Sequence, residues 1–169
     1  MQYFDKTTFC CYRILNSCFT YWRCFMITIG YTDADFSAME KTASFKELVP
    51  IAMQIINRIC PPVGFVCGPI SAAGGTKSVK RNTEIFQSHI EFLERKGLKI
   101  FNQLPFEKTL WRILAEGKNE SNLLKDFYQP LFDSGAFNIF YFIPGWESSY
   151  GASWEFRKAQ ELEITIIHL

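Results

Sequence analysis

The spacing of apolar residues first predicts a helix near the start of the chain. Between residues 36 and 60 these residues recur at steps of three and four, which places them along one side of a helix. They are Phe45, Leu48, Val49, Ala52, Ile55, Ile56 and Ile59. Pro61 and Pro62 should end this helix, because the residue before a proline disfavours the helical conformation. We interpret it as a helix that covers a core.

From residue 63 onward the pattern alternates between short apolar runs and helical spacing. The runs are VGFVCGPI from Val63, LKIFN (98–102), FNIFYFI (137–143) and ITIIHL (164–169). Helical patterns over 78–96, 107–116, 121–132 and 151–162 separate them. Strands that are apolar throughout and joined by helices indicate a parallel sheet covered on both faces.

This order of elements predicts an α/β fold. We expect a single-domain three-layer sandwich with a mostly parallel sheet of four to five strands, flavodoxin- or Rossmann-like, and helices on both faces. Residues 61–169 would form this domain. Residues 1–60 would be an N-terminal extension, helical over 36–60 and poorly defined over 1–25.

Composition and charge narrow the possible partners. The 169 residues carry a formal net charge of +1, so no overall field draws the chain to nucleic acid or to an anionic membrane. Only nine uncharged residues separate Arg13 from Arg23, whereas a membrane-spanning helix needs about 20. We read residues 1–25 as a loosely attached extension, or as upstream sequence with the true start at Met26.

The cysteines and histidines give little support to a metal site. Six cysteines include no C-x-x-C pair, and the chain has two histidines. We expect reduced thiols in a cytoplasmic protein, with neither a metal nor a cofactor.

Two loops have compositions suited to ligand binding. The first, GPISAAGGTKS, runs from Gly68 to Ser78 between the first strand and its helix. Its glycines allow close approach of a ligand, and amides at a helix start favour an anion such as phosphate. The loop matches neither the Walker A pattern nor G-x-G-x-x-G, so ATP-dependent phosphoryl transfer is poorly supported. A turn of small residues needed only for packing is the alternative.

The second loop, PGWESSYGASWE (144–155), follows the third strand and contains two carboxylates. Glu147 lies in the loop, whereas Glu155 falls about one turn into the next helix, where the helix dipole should keep it ionised. A carboxylate of this kind can attack an electrophilic carbon, and glycosyl transfer commonly uses two carboxylates. The alternative is that Glu155 only complements the dipole.

Together the two loops resemble those of the nucleoside 2-deoxyribosyltransferase-like superfamily. The similarity covers about residues 63–169 and is strongest to a branch of bacterial and phage proteins with a P-G-W-x-x-S-x-G-A-x-x-E segment. It implies that Glu155 is the nucleophile at the anomeric carbon of a deoxyribose. It also implies a 5′-phosphorylated substrate, because Ser149 stands where transferases acting on nucleosides carry an aspartate.

The resemblance further implies a set of binding residues and an assembly state. Other residues expected to contact the substrate are Gly68, Ser71, Gly74, Gly75, Trp146 and Gly151. Superfamily members assemble as homodimers or larger. Neither nucleic acid nor a membrane is expected as a partner.

One position departs from the superfamily pattern. An aspartate that handles the proton of the leaving base is expected about eight residues before the third strand, where this chain has Pro130. Asp126 and Asp133 lie nearby, and Asp126 is our candidate for the catalytic acid-base.

The expected activity is therefore cleavage or transfer of the N-glycosidic bond of 2′-deoxynucleosides or their 5′-monophosphates, through a covalent glycosyl-Glu155 intermediate. The acceptor, water or a second base, stays open. A non-catalytic nucleotide-binding module of the same fold is the main alternative, and a purely structural domain is a third.

Overall fold

The protein is an α/β sandwich built on a parallel sheet. The computed structural model describes residues 29–70, 75–116 and 122–169, and for residues 75–78 the backbone alone. The described strands form one four-stranded sheet in the order β2-β1-β3-β4, and every neighbouring pair is parallel. Helices lie on both faces of this sheet, so the predicted fold class is confirmed.

The elements follow the predicted alternation of strands and helices. In chain order they are α1 (Asp33–Lys41), α2 (Phe45–Asn57), β1 (Val63–Cys67), α3 (Gly75–Arg95), β2 (Lys99–Phe101), α4 (Glu107–Ala115), α5 (Gln129–Asp133), β3 (Ile139–Phe142), α6 (Tyr150–Glu161) and β4 (Thr165–His168). A 3₁₀ turn (Leu104–Phe106) precedes α4, a π-helical turn (Leu124–Tyr128) leads into α5, and a second 3₁₀ turn (Trp146–Ser148) precedes α6.

The two faces of the sheet have different covers. On one face, Phe86, Ile90 and Leu93 of α3 pack against the side chains of β1, β2 and β3 that point towards them. The other face carries a larger core rich in phenylalanine, to which α2, α4, the π-helical turn and α5 contribute. Strand β2 lies on one side of β1, and β3 lies on the other. With right-handed crossovers, the helix between β1 and β2 and the helices between β2 and β3 therefore cover opposite faces of the sheet.

The helix predicted over 36–60 is two helices. Thr42 ends α1, and its hydroxyl donates a hydrogen bond to the Met39 carbonyl at 2.8 Å. Helix α2 begins after Ser44. The apolar face of α2 belongs to the same core as β1 and β3. Helix α2, which the sequence placed in an N-terminal extension, therefore packs in the same core as the sheet.

The last strand is less buried than its sequence predicted. Thr165 and His168 are exposed, and Ile167 is 38% exposed, because β4 lies at the edge of the sheet. In the described part of the chain, no helix has the length and apolarity that crossing a membrane requires.

Candidate active site

The connection order of the strands creates a crevice between β1 and β3. The chain leaves β1 towards β2 on one side, whereas β3 lies on the other side of β1. The loops after β1 and β3 therefore diverge at the carboxyl edge of the sheet, and this is where open α/β sheets usually bind ligands.

A cavity of about 120 Å³ lies at this edge. Its wall comes from the end of β1, from α4, from the π-helical turn and from the first turns of α6. The lining residues are Gly68, Ile70, Glu107, Leu110, Trp111, Leu114, Leu123, Leu124, Tyr128, Ser149, Gly151, Ala152 and Glu155. The turn after β1 and the carboxyl group of Glu155 thus share one cavity, as the sequence motifs predicted.

Glu155 is a buried carboxyl group on α6. Its residue is 8% exposed, and the thiol of Cys67, at the end of β1, donates a hydrogen bond to it. Burial raises the pKa of Glu155 to about 8, the Cys67 thiol opposes this rise, and the negative charge of Glu107 adds to it. The ligand-free protein therefore holds Glu155 mainly protonated at neutral pH.

This protonation state corrects the expectation that the helix dipole keeps Glu155 ionised. The dipole acts mainly within the first turn of a helix, and Glu155 lies five residues after Tyr150, where α6 begins. Removal of water from the carboxylate is the larger effect at this depth.

Glu107 is a second carboxyl group in the same wall, and it was not among the residues predicted from the sequence. It opens α4 and accepts a hydrogen bond from Nε1 of Trp111 at 3.1 Å. Burial raises the pKa of Glu107 to about 7, and the indole donor limits the rise. The two carboxyl groups therefore titrate as a pair around neutral pH.

Tyr128 stands close to both carboxyl groups. Its ring is 7% exposed and lines the cavity from the π-helical turn. Burial raises the pKa of the Tyr128 hydroxyl, and the charges of Glu107 and Glu155 raise it further. Tyr128 therefore stays neutral in the wall that it shares with the two carboxyl groups. Single-turn π-helical insertions are frequent at functional sites.

Ser149 is the N-cap of α6 and lines the cavity. Gly145 enters the preceding turn with φ 82°, a left-handed conformation that favours glycine, and Ser149 caps the helix by accepting a hydrogen bond from the Ala152 amide at 3.3 Å. The hydroxyl of Ser149 and the free amides at this helix start can donate hydrogen bonds to an anion.

Gly68 allows β1 and β3 to approach at the base of the cavity. A Cβ at this position would lie 2.3 Å from Cγ1 of Ile143, which is too close for any side chain. The residue therefore serves packing as well as the shape of the cavity. This agrees with the packing alternative for this part of the loop.

Two of the predicted site residues lie away from the cavity wall. Asp126 accepts a hydrogen bond from the Asn122 amide at 2.9 Å and lies 3.9 Å from Nζ of Lys46. Trp146 stacks on Phe156 with a centroid distance of 4.6 Å. The structure therefore gives Asp126 and Trp146 local structural contacts.

The remaining predicted residues are in the loop after β1. Ser71 and Gly74 lie outside the described residues, and Gly75 begins α3. Gly151, in the first turn of α6, lines the cavity.

Comparison with known proteins adds no assignment. Searches against protein-family models, curated proteins and solved structures found no match. Within the three described ranges, no three His, Cys, Asp or Glu side chains are grouped as a metal site requires. The fold and the site together define an α/β protein with a pair of carboxyl groups at the switch point of its sheet.

Proposed function

We propose that the protein cleaves or transfers the N-glycosidic bond of 2′-deoxynucleosides or their 5′-monophosphates. The observation that carries this proposal is the shared cavity, whose wall contains Glu155, Ser149 and the turn after β1. The resemblance of the two loops to the deoxyribosyltransferase-like superfamily supports the choice of substrate.

In this mechanism Glu155 attacks C1′ of the deoxyribose. As the bond to the base breaks, positive charge develops on the sugar, and the resulting glycosyl-Glu155 ester is later resolved by water or by a second base. The same positive charge favours the ionised form of Glu155, so the substrate itself opposes the burial that protonates this group. The cavity, of about 120 Å³, is smaller than typical ligand sites, which measure roughly 300–1,000 Å³. We therefore place only the pentose inside the cavity and the base at its mouth.

Ser149 and the start of α6 would hold the 5′-phosphate. A hydroxyl and backbone amides donate hydrogen bonds to an anion, whereas an aspartate at this position would repel it. This argument favours monophosphates over nucleosides.

The test is release of free base from each deoxynucleoside 5′-monophosphate and each deoxynucleoside, measured by chromatography. We expect the wild-type protein to release base and Glu155→Gln to lose the activity by several orders of magnitude. Glu161→Gln is the matched control, because Glu161 is an exposed residue of the same helix. Base release that survives in Glu155→Gln would contradict the assignment of the nucleophile.

A second candidate is a nucleotide-binding module without turnover. The protonated state of Glu155 in the ligand-free protein favours this candidate, because a neutral carboxyl group is a poor nucleophile. Calorimetric binding of a deoxynucleotide that the wild-type protein leaves intact over many hours would select it.

A further inference from the structure

Glu107 and Trp111 form a pair on the side of α4 that lines the cavity. They are four residues apart, so they lie on one face of the helix, and both line the cavity. Nε1 of Trp111 donates to Oε2 of Glu107 at 3.1 Å, which fixes the carboxyl group against the indole.

The ring of Trp111 is placed differently from those of two other tryptophans. Trp146 stacks on Phe156 at 4.6 Å, and Trp154 stacks on Phe132 at 5.8 Å, so both rings serve internal packing. Trp111 is 45% exposed at the mouth of the cavity, next to Leu114, which is 42% exposed. An exposed aromatic and an exposed aliphatic side chain at a cavity mouth suit a flat apolar group such as a nucleobase.

Resting on the proposed function, we infer that Glu107 is the catalytic acid-base that protonates the leaving base, and that Trp111 positions this step. The indole ring would stack on a purine or pyrimidine at the mouth, while its N–H holds Glu107 beneath that base. Oε2 is engaged by the indole, so Oε1 is the oxygen that carries the proton.

The step balances without a further reactant. The bond between C1′ and the base nitrogen breaks, its electron pair goes to the base, and the base takes the proton from Glu107. A carboxylate oxygen of Glu155 forms the new bond to C1′. In hydrolysis, water then attacks C1′, Glu107 accepts the proton of the water, and the bond from C1′ to Glu155 breaks with its electron pair returning to the carboxylate.

The protonation states fit a shared proton. Burial gives the two carboxyl groups pKa values of about 7 and about 8, so the pair holds about one proton between these pH values. The positive charge that develops at C1′ stabilises an ionised Glu155. The negative charge that develops on the base attracts a proton from a protonated Glu107. Substrate binding thus selects the arrangement that the reaction needs.

The acid role of Glu107 can be tested apart from the other functions of the site with a substrate whose base leaves without being protonated. In 7-methyl-2′-deoxyguanosine 5′-monophosphate the base carries a positive charge and leaves without protonation. We expect Glu107→Gln to lower kcat/KM on unmodified monophosphates by about 10²–10⁴-fold, the usual size of general acid catalysis, and to leave the 7-methyl substrate nearly unaffected. Glu107→Asp should recover part of the loss.

The controls distinguish failure of this inference from failure of the proposed function. Glu155→Gln should lose both substrates, and Glu116→Gln, at the exposed end of the same helix, should lose neither. An equal loss on both substrates in a Glu107→Gln protein with an unchanged melting temperature, or no loss on either, would overturn the acid role and leave the proposed function standing. A wild-type protein inactive on both substrates would overturn both.

Variants of Trp111 test the positioning role. Trp111→Phe keeps the stacking surface but removes the N–H, so the pKa of Glu107 should rise. The reactive form pairs a protonated Glu107 with an ionised Glu155, the reverse of their pKa order, so the acidic limb of the pH profile of kcat/KM should move to higher pH. Trp111→Ala should also raise KM by about tenfold or more, because base stacking is lost. A pH profile and a KM that match wild type in both variants would show that Trp111 has no part in the reaction.

Discussion

At the scale of single residues, the burial of Glu155 couples stability to pH. A glutamate in an unfolded chain has a pKa near 4.5, whereas burial raises the pKa of Glu155 to about 8 in the folded protein. Between these values the folded state binds more protons than the unfolded state. The free energy of unfolding therefore falls as pH rises from about 4.5 to about 8, and the contribution of Glu155 is level above that range.

Glu155→Gln should remove this decrease in the free energy of unfolding with rising pH, because glutamine does not ionise. Each pKa unit corresponds to about 1.4 kcal/mol, so between pH 4.5 and pH 8 the variant should gain on the order of 3–4 kcal/mol relative to wild type. Urea unfolding at both pH values measures this gain. Glu163→Gln, at an exposed position just after the same helix, should follow wild type. Parallel pH dependences in wild type and Glu155→Gln would show that the carboxyl group is ionised in the folded protein.

The sequence placed some residues of the cavity wall correctly and missed others for a physical reason. Glu155, Ser149 and Gly68 stand in loops directly after predicted strands, so their meeting at the carboxyl edge follows from the parallel order of the sheet. Glu107 comes from a helix whose rotation about its own axis depends on core packing. The sequence pattern predicts which face of that helix is apolar. It does not predict which polar residue at the edge of that face lines the cavity.

The place of Asp126 illustrates the same limit. The count of residues back from β3 assumes a regular helix, but residues 124–128, which include Asp126, form a π-helical turn, and this changes the direction of their side chains. The carboxylate of Asp126 accordingly meets Lys46 at 3.9 Å and not the cavity.

At the scale of elements, Ser149 has two roles that can be separated. It caps α6 through the Ala152 amide, and we propose that it also binds the 5′-phosphate. Ser149→Ala should lower stability by about 1 kcal/mol, because alanine cannot cap, and should weaken monophosphate binding. Ser149→Asp keeps a capping oxygen, so its melting temperature should stay close to that of wild type.

The two variants should differ from wild type in substrate preference. Aspartate repels a phosphate, so Ser149→Asp should lose activity on monophosphates and retain or gain activity on nucleosides. The ratio of kcat/KM for a monophosphate to that for its nucleoside measures this preference. If Ser149→Asp kept the wild-type ratio, the phosphate would bind elsewhere in the cavity.

The positions of helices and strands were predicted best where the apolar pattern alone determines them. β1 and β3 are apolar throughout because both faces of each strand are covered, and this gave their positions within a few residues. The break between α1 and α2 was missed, because the apolar residues that carry the periodicity begin at Phe45 and give no information on residues 36–44. The hydroxyl of Thr42 donates a hydrogen bond to the Met39 carbonyl at this boundary.

At the scale of the whole molecule, the helices before residue 60 stabilise the sheet that carries the site. Leu48, Ala52 and Ile55 of α2 are fully buried in the core that also contains Phe65 and Phe140 of the central strands. This joint core means that α1 and α2 should unfold together with the sheet, in one cooperative transition.

Leu48→Ala tests this cooperativity directly. Truncation of a fully buried leucine usually costs about 2–5 kcal/mol, and here the loss should appear in the unfolding of the sheet itself. Tryptophan fluorescence in urea is a suitable measurement, because Trp154 packs on Phe132 in the core beside β3. Ile85→Ala, at a position of α3 that is 40% exposed, should change the midpoint little. A fluorescence transition unchanged by Leu48→Ala, with a separate loss of helical circular dichroism, would mean that residues 29–60 fold as an independent unit and that the boundary at residue 60 holds after all.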